Sequence, residues 1–115
     1  MDNPKTHTLR RDGKRSLRFE GELLAECSSK SHTGPNQNRW TEIDIYQTKA
    51  GKHVVQIVRR TCWQGEHDTY QAELCEEPED VYRFLVDAED GLLTDLAKQA
   101  LKEAGLDDLT FETVE

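Results

Sequence analysis

The residues of this chain best suited to metal or covalent chemistry are three cysteines and four histidines. Cys62 lies five positions before His67, and Cys27 lies five positions before His32. Neither spacing matches the paired CxxC or HxxxH motifs that mark zinc sites. A nucleophilic thiol also needs a helix N-terminus or a cation beside it to ionise. We therefore expect these two cysteines and Cys75 to be reduced packing residues, with no metal site and no catalytic cysteine.

Other catalytic patterns are missing from the sequence as well. Ser28, Ser29 and Ser31 lie in a polar loop without the Gly-x-Ser-x-Gly turn of a serine hydrolase. No glycine motif for phosphate binding is present. Carboxylates are frequent, but acid–base catalysis needs two carboxyls in different environments, one of them dry, and these lie in polar runs. The sequence thus predicts a protein that is not an enzyme and uses no cofactor.

Length and charge set the organisation of the chain. It has 115 residues and a net charge of -8, and no apolar run approaches the roughly 18–20 residues of a membrane-spanning helix. Residues 1–60 carry 12 Lys or Arg against 7 Asp or Glu, whereas residues 61–115 carry 3 against 16. Without an apolar leader segment, the cytoplasm is the expected location. We predict a mobile basic arm over residues 1–15 and a single domain over residues 16–115.

The first predicted strand covers residues 17–27, where apolar or small residues alternate with charged ones. The apolar set is Leu17, Phe19, Gly21, Leu23, Ala25 and Cys27. Leu24 breaks this alternation, and Gly21 suggests a bend or bulge in the middle of the strand. The pattern predicts a strand with one apolar and one solvated face.

The next two strands are predicted at residues 39–48 and 52–63, joined by a three-residue loop with Gly51 at its left-handed position. The resulting cross-strand pairs are Ile45 with Val55, Ile43 with Ile57, Tyr46 with Val54 and Trp40 with Arg60. The two pairs that contain isoleucine fall on one face, and the other two fall on the opposite face.

A further strand is predicted at residues 67–75 after a two-residue turn at Gly65-Glu66. This turn sets Thr61 opposite Tyr70, Arg59 opposite Ala72 and Ile57 opposite Leu74. The predicted apolar face is then Ile43, Ile45, Val55, Ile57, Tyr70, Ala72 and Leu74. Arg59 fits badly on such a face, and we assign its guanidinium to the edge.

Beyond residue 75 the apolar period changes to that of helices. Pro78 suits the first position of a helix whose stripe is Val81, Phe84, Leu85 and Ala88. A second helix is predicted over residues 92–104, with Gly105 as its left-handed stop. The tail over residues 109–114 can add an edge strand. The fold class is α+β: an antiparallel meander of four or five strands with two C-terminal helices packed on one face.

The sheet face away from the helices is the first candidate binding surface. Trp40, Tyr46, Val54 and Val58 would form an uncovered apolar patch, and Trp, Tyr and Arg60 are residue types enriched at the energetic centres of protein interfaces. Another protein or a second copy of the chain could cover this patch. Acidic residues around the first helix form a second candidate surface, which consists of Glu76, Glu77, Glu79 and Asp80 at its start and Asp87, Glu89 and Asp90 near its end.

An alternative function uses the positive charge of the arm. Nucleic acid could meet the cations Arg10, Arg11, Lys14, Arg15 and Arg18, with bases stacking on Trp40 and Tyr46 beside Arg60. Glu42, Asp44 and Glu73 share that sheet face, and the overall charge opposes phosphate binding. The first expectation is therefore a cytoplasmic interaction or regulatory protein that binds another protein, by class analogy an accessory or inhibitor protein of phages or plasmids.

Overall fold

A computed structural model describes residues 5–32 and 38–114 of the chain. Five strands and two helices follow one another: β1 (Lys5–Leu9), β2 (Leu17–Ser28), β3 (Arg39–Thr48), β4 (His53–Thr61), β5 (Thr69–Cys75), α1 (Pro78–Asp87) and α2 (Asp95–Glu103). Short 3-10 helices lie at Ser29–His32 and Asp107–Thr110. The strands pair in sequence order, all antiparallel, as one five-stranded sheet. The predicted α+β meander with two C-terminal helices is confirmed.

The β3–β4 hairpin has the predicted register. Ile45 pairs with Val55, Ile43 with Ile57, Tyr46 with Val54 and Trp40 with Arg60. The turn depends on Gly51, whose φ is +87°, and whose amide donates to the carbonyl of Thr48 at 2.9 Å. A local turn and an alternating apolar pattern therefore suffice to define this hairpin.

The predicted register of the β4–β5 hairpin is wrong. Arg59 pairs with Thr69 and Ile57 with Gln71, so Tyr70, Ala72 and Leu74 lie on the face opposite to the predicted one. The cause is a loop longer than the Gly65-Glu66 turn. Asp68 closes this loop, because its Oδ1 accepts from the amide of Thr61 at 2.9 Å. A side chain that substitutes for a backbone partner in this way is difficult to detect in a sequence.

A β-bulge between Leu23 and Ala25 divides strand β2. The extra residue, Leu24, is the one that breaks the alternation in the sequence. Before it, Leu17 and Phe19 pack with the side chains of Leu9, Tyr46, Val54 and Ala72; after it, Ala25 and Cys27 pack beneath the helices. The expectation that all the odd-numbered residues of this strand share one face is therefore wrong. The additional residue moves the odd-numbered side chains after it to the opposite face of the sheet.

Residues 5–9 are part of the sheet, which corrects the predicted mobile arm over residues 1–15; residues 1–4 of that arm lie outside the described residues. Lys5–Leu9 is strand β1, paired with residues 17–21 of β2, and these strands form the N-terminal hairpin (residues 5–20). Strand β3 pairs with β2 only from Gly21 onward. A Cβ at Gly21 would lie 2.3 Å from the carbonyl oxygen of Gln47, so this position needs glycine for close approach. The fifth strand is therefore N-terminal, and the predicted strand over residues 109–114 is absent among the described residues.

The tip of the N-terminal hairpin is fastened to the far edge of the sheet. The amide of Asp12 donates to the carbonyl of Tyr70 at 3.0 Å, and the amide of Tyr70 donates to Oδ2 of Asp12 at 2.9 Å. The guanidinium of Arg10 lies 4.7 Å from the centre of the Tyr70 ring. The hairpin thus crosses one face of the curved sheet and connects β2 with β5; we name this the hairpin face.

The other side of the sheet, the helix face, carries α1 and α2. Its buried core comprises Ala25, Cys27, Ile43, Ile45, Val55, Ile57, Cys75, Val81, Leu85, Ala97, Ala100 and Leu101. Helix α1 begins with Pro78 and a capping box between Glu77 and Asp80, and α2 begins at Thr94, whose side chain accepts from the amide of Ala97. No helix among the described residues is long and apolar enough to cross a membrane.

Arg59 has a clear role at the edge of the helix face. Its Nη2 donates to the carbonyl of Ala88 at 2.7 Å and to Oε1 of Glu89 at 2.8 Å, and its Nη1 donates to Gln71. A cation at the C-terminus of a helix satisfies its free carbonyls and complements its dipole. Arg59 therefore fastens the end of α1 to the sheet.

Candidate functional site

Trp40 lies on the hairpin face. The sequence predicts this, because Trp40 is three positions from Ile43 on the same strand and the two side chains must point to opposite faces. Its Nε1 donates to Oε2 of Glu42 at 3.1 Å, and the ammonium of Lys30 lies 4.1 Å from the ring centre. The side chain is half-buried. Both its polar edge and its aromatic surface are thus held in place, while part of the ring remains accessible to a partner.

The expected uncovered patch around Tyr46, Val54 and Val58 is wrong. Only 8%, 1% and 3% of their respective surfaces are exposed. Val54 and Tyr46 pack in one cluster with Leu9, Leu17 and Phe19 of the N-terminal hairpin. The Tyr46 ring also contacts His7 and Phe19, with ring centres 4.7 and 5.3 Å apart. The chain therefore covers this part of its own sheet face, as expected from the cost of leaving large apolar groups in water.

Arg60 is the centre of an ion-pair network next to Trp40. Its Nε donates to Oε1 of Glu42 at 3.0 Å, and its Nη1 donates to Oδ2 of Asp68 at 3.1 Å. These hydrogen bonds raise the pKa of Arg60, and the hydrogen bond from the Thr61 amide, followed by that from Arg60, lowers the pKa of Asp68, so both groups stay charged. Nearby, Arg39 Nε donates to Glu66 Oε1 at 3.0 Å, and this pairing lowers the pKa of Glu66 to about 2. Each of these guanidinium groups therefore already has a carboxylate partner, Arg60 in a half-buried position and Arg39 in an exposed one.

A shallow cleft of about 590 Å³ lies at this end of the sheet, and we call it the Trp40 cleft. Residues that line it include Arg39, Trp40, Arg60, Thr61, Glu66 and His67. The ring of Trp63, 51% exposed, lies 5.9 Å from the guanidinium of Arg39. Trp40 therefore lines the cleft itself, whereas the exposed Trp63 lies beside Arg39, one of the lining residues. Sequence analysis missed Trp63, because the incorrect β4–β5 turn placed that residue at a strand end.

The acidic residues of α1 divide between its two ends. Glu76, Glu77, Glu79 and Asp80 lie at its start, about 15 Å along the helix axis from its last residue. Some have structural roles, since Asp80 Oδ2 accepts from the amide of Glu77 and Glu76 pairs with Lys52 at 3.5 Å. At the other end, Glu89 binds Arg59, which also lines the Trp40 cleft. Only the C-terminal end of α1 therefore adjoins the cleft.

The predicted basic residues gather on the N-terminal hairpin. Four of them lie exposed, and Arg11 is partly buried, with its Nε donating to the carbonyl of Arg15 at 2.7 Å. Arg18 faces outward from β2, opposite Thr8 of β1. We name Arg10, Arg11, Lys14, Arg15 and Arg18 the basic tip. Arg10 and Arg60 both lie against the ring of Tyr70, 4.7 and 5.8 Å from its centre, so the basic tip and the Trp40–Arg60 pair adjoin at Tyr70.

Two of the three thiols are packing residues, and the expectation that Cys62 is a third is wrong. Cys27 and Cys75 are buried, and burial raises the pKa of each to about 12; the carboxylate of Glu103, which accepts from Cys27, contributes further at that site. Cys62 is exposed. Across residues 5–32 and 38–114, no group of three or more His, Cys, Asp or Glu side chains is arranged to hold a metal ion.

Asp44 is an unusual carboxyl that the sequence did not mark. It lies directly opposite Glu26 across the β2–β3 pairing. Burial, followed by the negative charges of Glu26 and Glu42, raises its pKa to about 6. The β2 bulge creates this contact, because it turns Glu26 onto the same face as Asp44.

Comparisons with protein-family models, with curated proteins and with solved structures each found no match to this chain.

Proposed function

We propose that this protein is a cytoplasmic, non-enzymatic interaction or regulatory protein that binds another protein through the Trp40 cleft. The observation that carries this proposal is a concave surface lined by Trp40, Arg39 and Arg60. The exposed ring of Trp63 lies 5.9 Å from the Arg39 guanidinium and can extend this surface. Trp and Arg are the residue types most enriched among the side chains that dominate binding energy at protein interfaces. Accessory and inhibitor proteins of phages and plasmids belong to the same functional class.

The ion pairs around the cleft support a protein partner rather than a free anion. Arg60 is held by Glu42 and Asp68, and Arg39 by Glu66. Because these charges are already neutralised, the surface attracts no small anion strongly. The same pairs hold the polar groups around Trp40 in fixed positions, which lowers the entropy cost of docking a complementary surface.

Exposed area at the cleft fits the usual anatomy of an interface. Trp40 supplies an apolar contact, while Thr61, Glu66 and His67 supply a polar rim. Glu89 and the neighbouring acidic residues at the end of α1 extend the rim on one side through Arg59. A partner with an apolar protrusion flanked by basic side chains would match this surface.

Site-specific photocrosslinking tests the proposal. A benzophenone amino acid at His67, which is exposed and lines the cleft, should capture a partner from a lysate of the native host. The same group at Gln99, on the exposed side of α2, is the matched control and should capture none. The captured protein is then purified, and its affinity is measured directly.

Trp40→Ala should weaken binding of the purified partner by at least about 30-fold, which corresponds to the roughly 2 kcal/mol of a dominant interface residue. Leu92→Ala, which also truncates an exposed apolar side chain, should leave the affinity unchanged. Equal crosslinking from His67 and Gln99, or full affinity in Trp40→Ala, would contradict the proposal. Crosslinking only to a second copy of this chain would replace it with self-association.

A further inference from the structure

The N-terminal hairpin concentrates positive charge in an otherwise acidic protein. Residues 5–20 contain six Lys or Arg and two Asp or Glu, whereas residues 21–115 contain nine and 20. Five of those six cations form the basic tip. Four lie in the loop of residues 10–16 that joins β1 to β2, and Arg18 lies on β2. The hairpin of residues 5–20 therefore has a net positive charge, whereas residues 21–115 are net negative.

Carboxylates near the basic tip leave most of it unneutralised. Arg10 forms a 3.7 Å pair with Asp12, and Glu20 pairs with Lys49 at 3.6 Å. Asp12 is also engaged by the amide of Tyr70. Within the part of the chain that the structure describes, the other cations of the basic tip form no ion pair; these are Arg11, Lys14, Arg15 and Arg18. This contrasts with Arg39, Arg59 and Arg60, each of which has a carboxylate partner.

The surroundings of the basic tip suit phosphate better than a protein surface. Leu9, Leu17 and Phe19 of the hairpin pack inward against the sheet, so no apolar centre accompanies the cations. Protein interfaces need such a centre, whereas binding to a nucleic-acid backbone depends on cations and hydroxyl donors. Exposed hydroxyls are available on the same hairpin from Thr6, Thr8 and Ser16.

The positions of the aromatic residues in the hairpin favour double-stranded over single-stranded nucleic acid as the ligand. Binding of single strands relies on exposed rings that stack with unpaired bases. His7 and Phe19 instead contact the buried Tyr46, with ring centres 4.7 and 5.3 Å from it. The hairpin therefore offers charge without a stacking surface, which matches a duplex whose bases are already stacked.

We propose that the basic tip binds the phosphate backbone of double-stranded nucleic acid without reading its sequence. The Asp12–Tyr70 hydrogen bonds fix the end of the ribbon on β5, so the cations lie on a supported element rather than a free arm. Arg10 shares the Tyr70 ring with Arg60 of the Trp40 cleft, so the basic tip is tested through Lys14, Arg15 and Arg18 instead.

Fluorescence anisotropy with labelled 20-base-pair DNA and RNA duplexes of random sequence, and with the single DNA strand alone, provides the test. Binding of at least one duplex at 50 mM salt should weaken roughly 100-fold at 200 mM, the dependence expected for about four phosphate contacts. The single strand should bind more weakly than the duplex at both salt concentrations.

The triple variant Lys14→Gln/Arg15→Gln/Arg18→Gln should lose most of the duplex binding, and the slope of log affinity against log salt should fall by about 3. The matched control, Arg83→Gln/Lys98→Gln/Lys102→Gln, removes the same charge from α1 and α2 and should retain full binding. Circular dichroism checks that both variants remain folded.

Three results would overturn the proposal: no duplex binding at 50 mM salt, equal losses in the two triple variants, or single-strand binding as tight as duplex binding. A competition experiment adds poly-glutamate or unlabelled duplex at the same concentration of negative charge. If poly-glutamate displaces the labelled duplex as effectively, the basic tip is assigned to an acidic protein partner instead.

Discussion

Gly51 and Asp44 show two ways in which one residue affects the stability of this fold. Gly51 permits a backbone conformation that L-amino acids with a β-carbon resist. Asp44 places a carboxyl opposite another carboxyl on neighbouring strands, in a partly buried position. The first stabilises the fold by permitting the tight turn, whereas the second opposes folding once its carboxyl is ionised.

Gly51→Val should destabilise the protein by about 2 kcal/mol, because its φ of +87° is strained for a β-branched residue. A Cβ at this position would meet no atom within 4 Å, so backbone strain is the whole effect. Thermal or denaturant unfolding measures the loss. Gly51→Asn, which tolerates this region better, should cost less; equal stability of Gly51→Val and the unmodified protein would contradict the turn.

Asp44→Asn should stabilise the protein at pH 7, on the order of 1–2 kcal/mol. The folded-state pKa of Asp44, about 6, lies above its ordinary value of 3.8. The folded state therefore binds more protons between these values, and stability falls as the pH rises from about 4 to 6. Urea unfolding at pH 4, 5, 6 and 7 should show this decline reduced in the variant. A parallel pH dependence in both proteins would show that Asp44 is not its source.

The N-terminal hairpin is the element whose placement most affects what the protein can bind. It covers Tyr46 and Val54 and thereby removes the apolar patch that an open sheet would have offered. It is paired with the rest of the sheet from Gly21 and contacts β5 again at Asp12. Its attachment therefore depends on a few contacts at each end and on the apolar cluster between them.

Asp12→Ala should loosen the tip of this hairpin and destabilise the fold by about 1–2 kcal/mol, because the amide of Tyr70 loses its acceptor. Hydrogen exchange at the amides of Tyr70 and of the hairpin should accelerate. Binding of a hydrophobic dye should increase as the cluster around Tyr46 becomes accessible. Asp12→Asn retains a side-chain oxygen and should behave more like the unmodified protein; unchanged exchange in Asp12→Ala would show that the contact does not hold the hairpin.

Across the molecule as a whole, the charged surfaces and the concave aromatic surface lie on different elements. The acidic start of α1, the basic tip and the Trp40 cleft occupy different elements, so electrostatic attraction and close contact can be varied independently. Long-range charge chiefly affects how fast a partner arrives, whereas packed aromatic contacts chiefly affect how long it stays.

Reversing Glu76 and Glu79 to Lys should leave the fold intact, because the capping residues Glu77 and Asp80 and the Arg59 partner Glu89 are kept. The exposed Glu76–Lys52 pair that is lost contributes at most about 1 kcal/mol. Association with a basic protein partner should slow several-fold at low salt, while the dissociation rate stays nearly constant. Surface plasmon resonance at two salt concentrations separates the two rates. Trp40→Ala should instead raise the dissociation rate and leave the association rate nearly constant. An unchanged association rate would mean that these carboxylates only solvate the helix.

The sequence by itself determined the elements whose signals are local. The β3–β4 register follows from Gly51 and the alternation around Ile43 and Ile45, and the start of α1 follows from Pro78. The position of Trp40 on the face away from the helices follows from the same alternation. Each of these depends on neighbours within a few residues, so pattern and turn chemistry are sufficient to predict it.

Contacts between distant residues decided the rest. Asp68 closing onto Thr61 set the β4–β5 register, the Leu24 bulge reversed the faces of β2, and Asp12 bound Tyr70 58 positions away in the chain. Any of these segments alone could pair in more than one way, because alternation specifies two faces without specifying what covers them. Only packing of the whole chain showed that the hairpin buries Tyr46 and leaves the Trp40 cleft open.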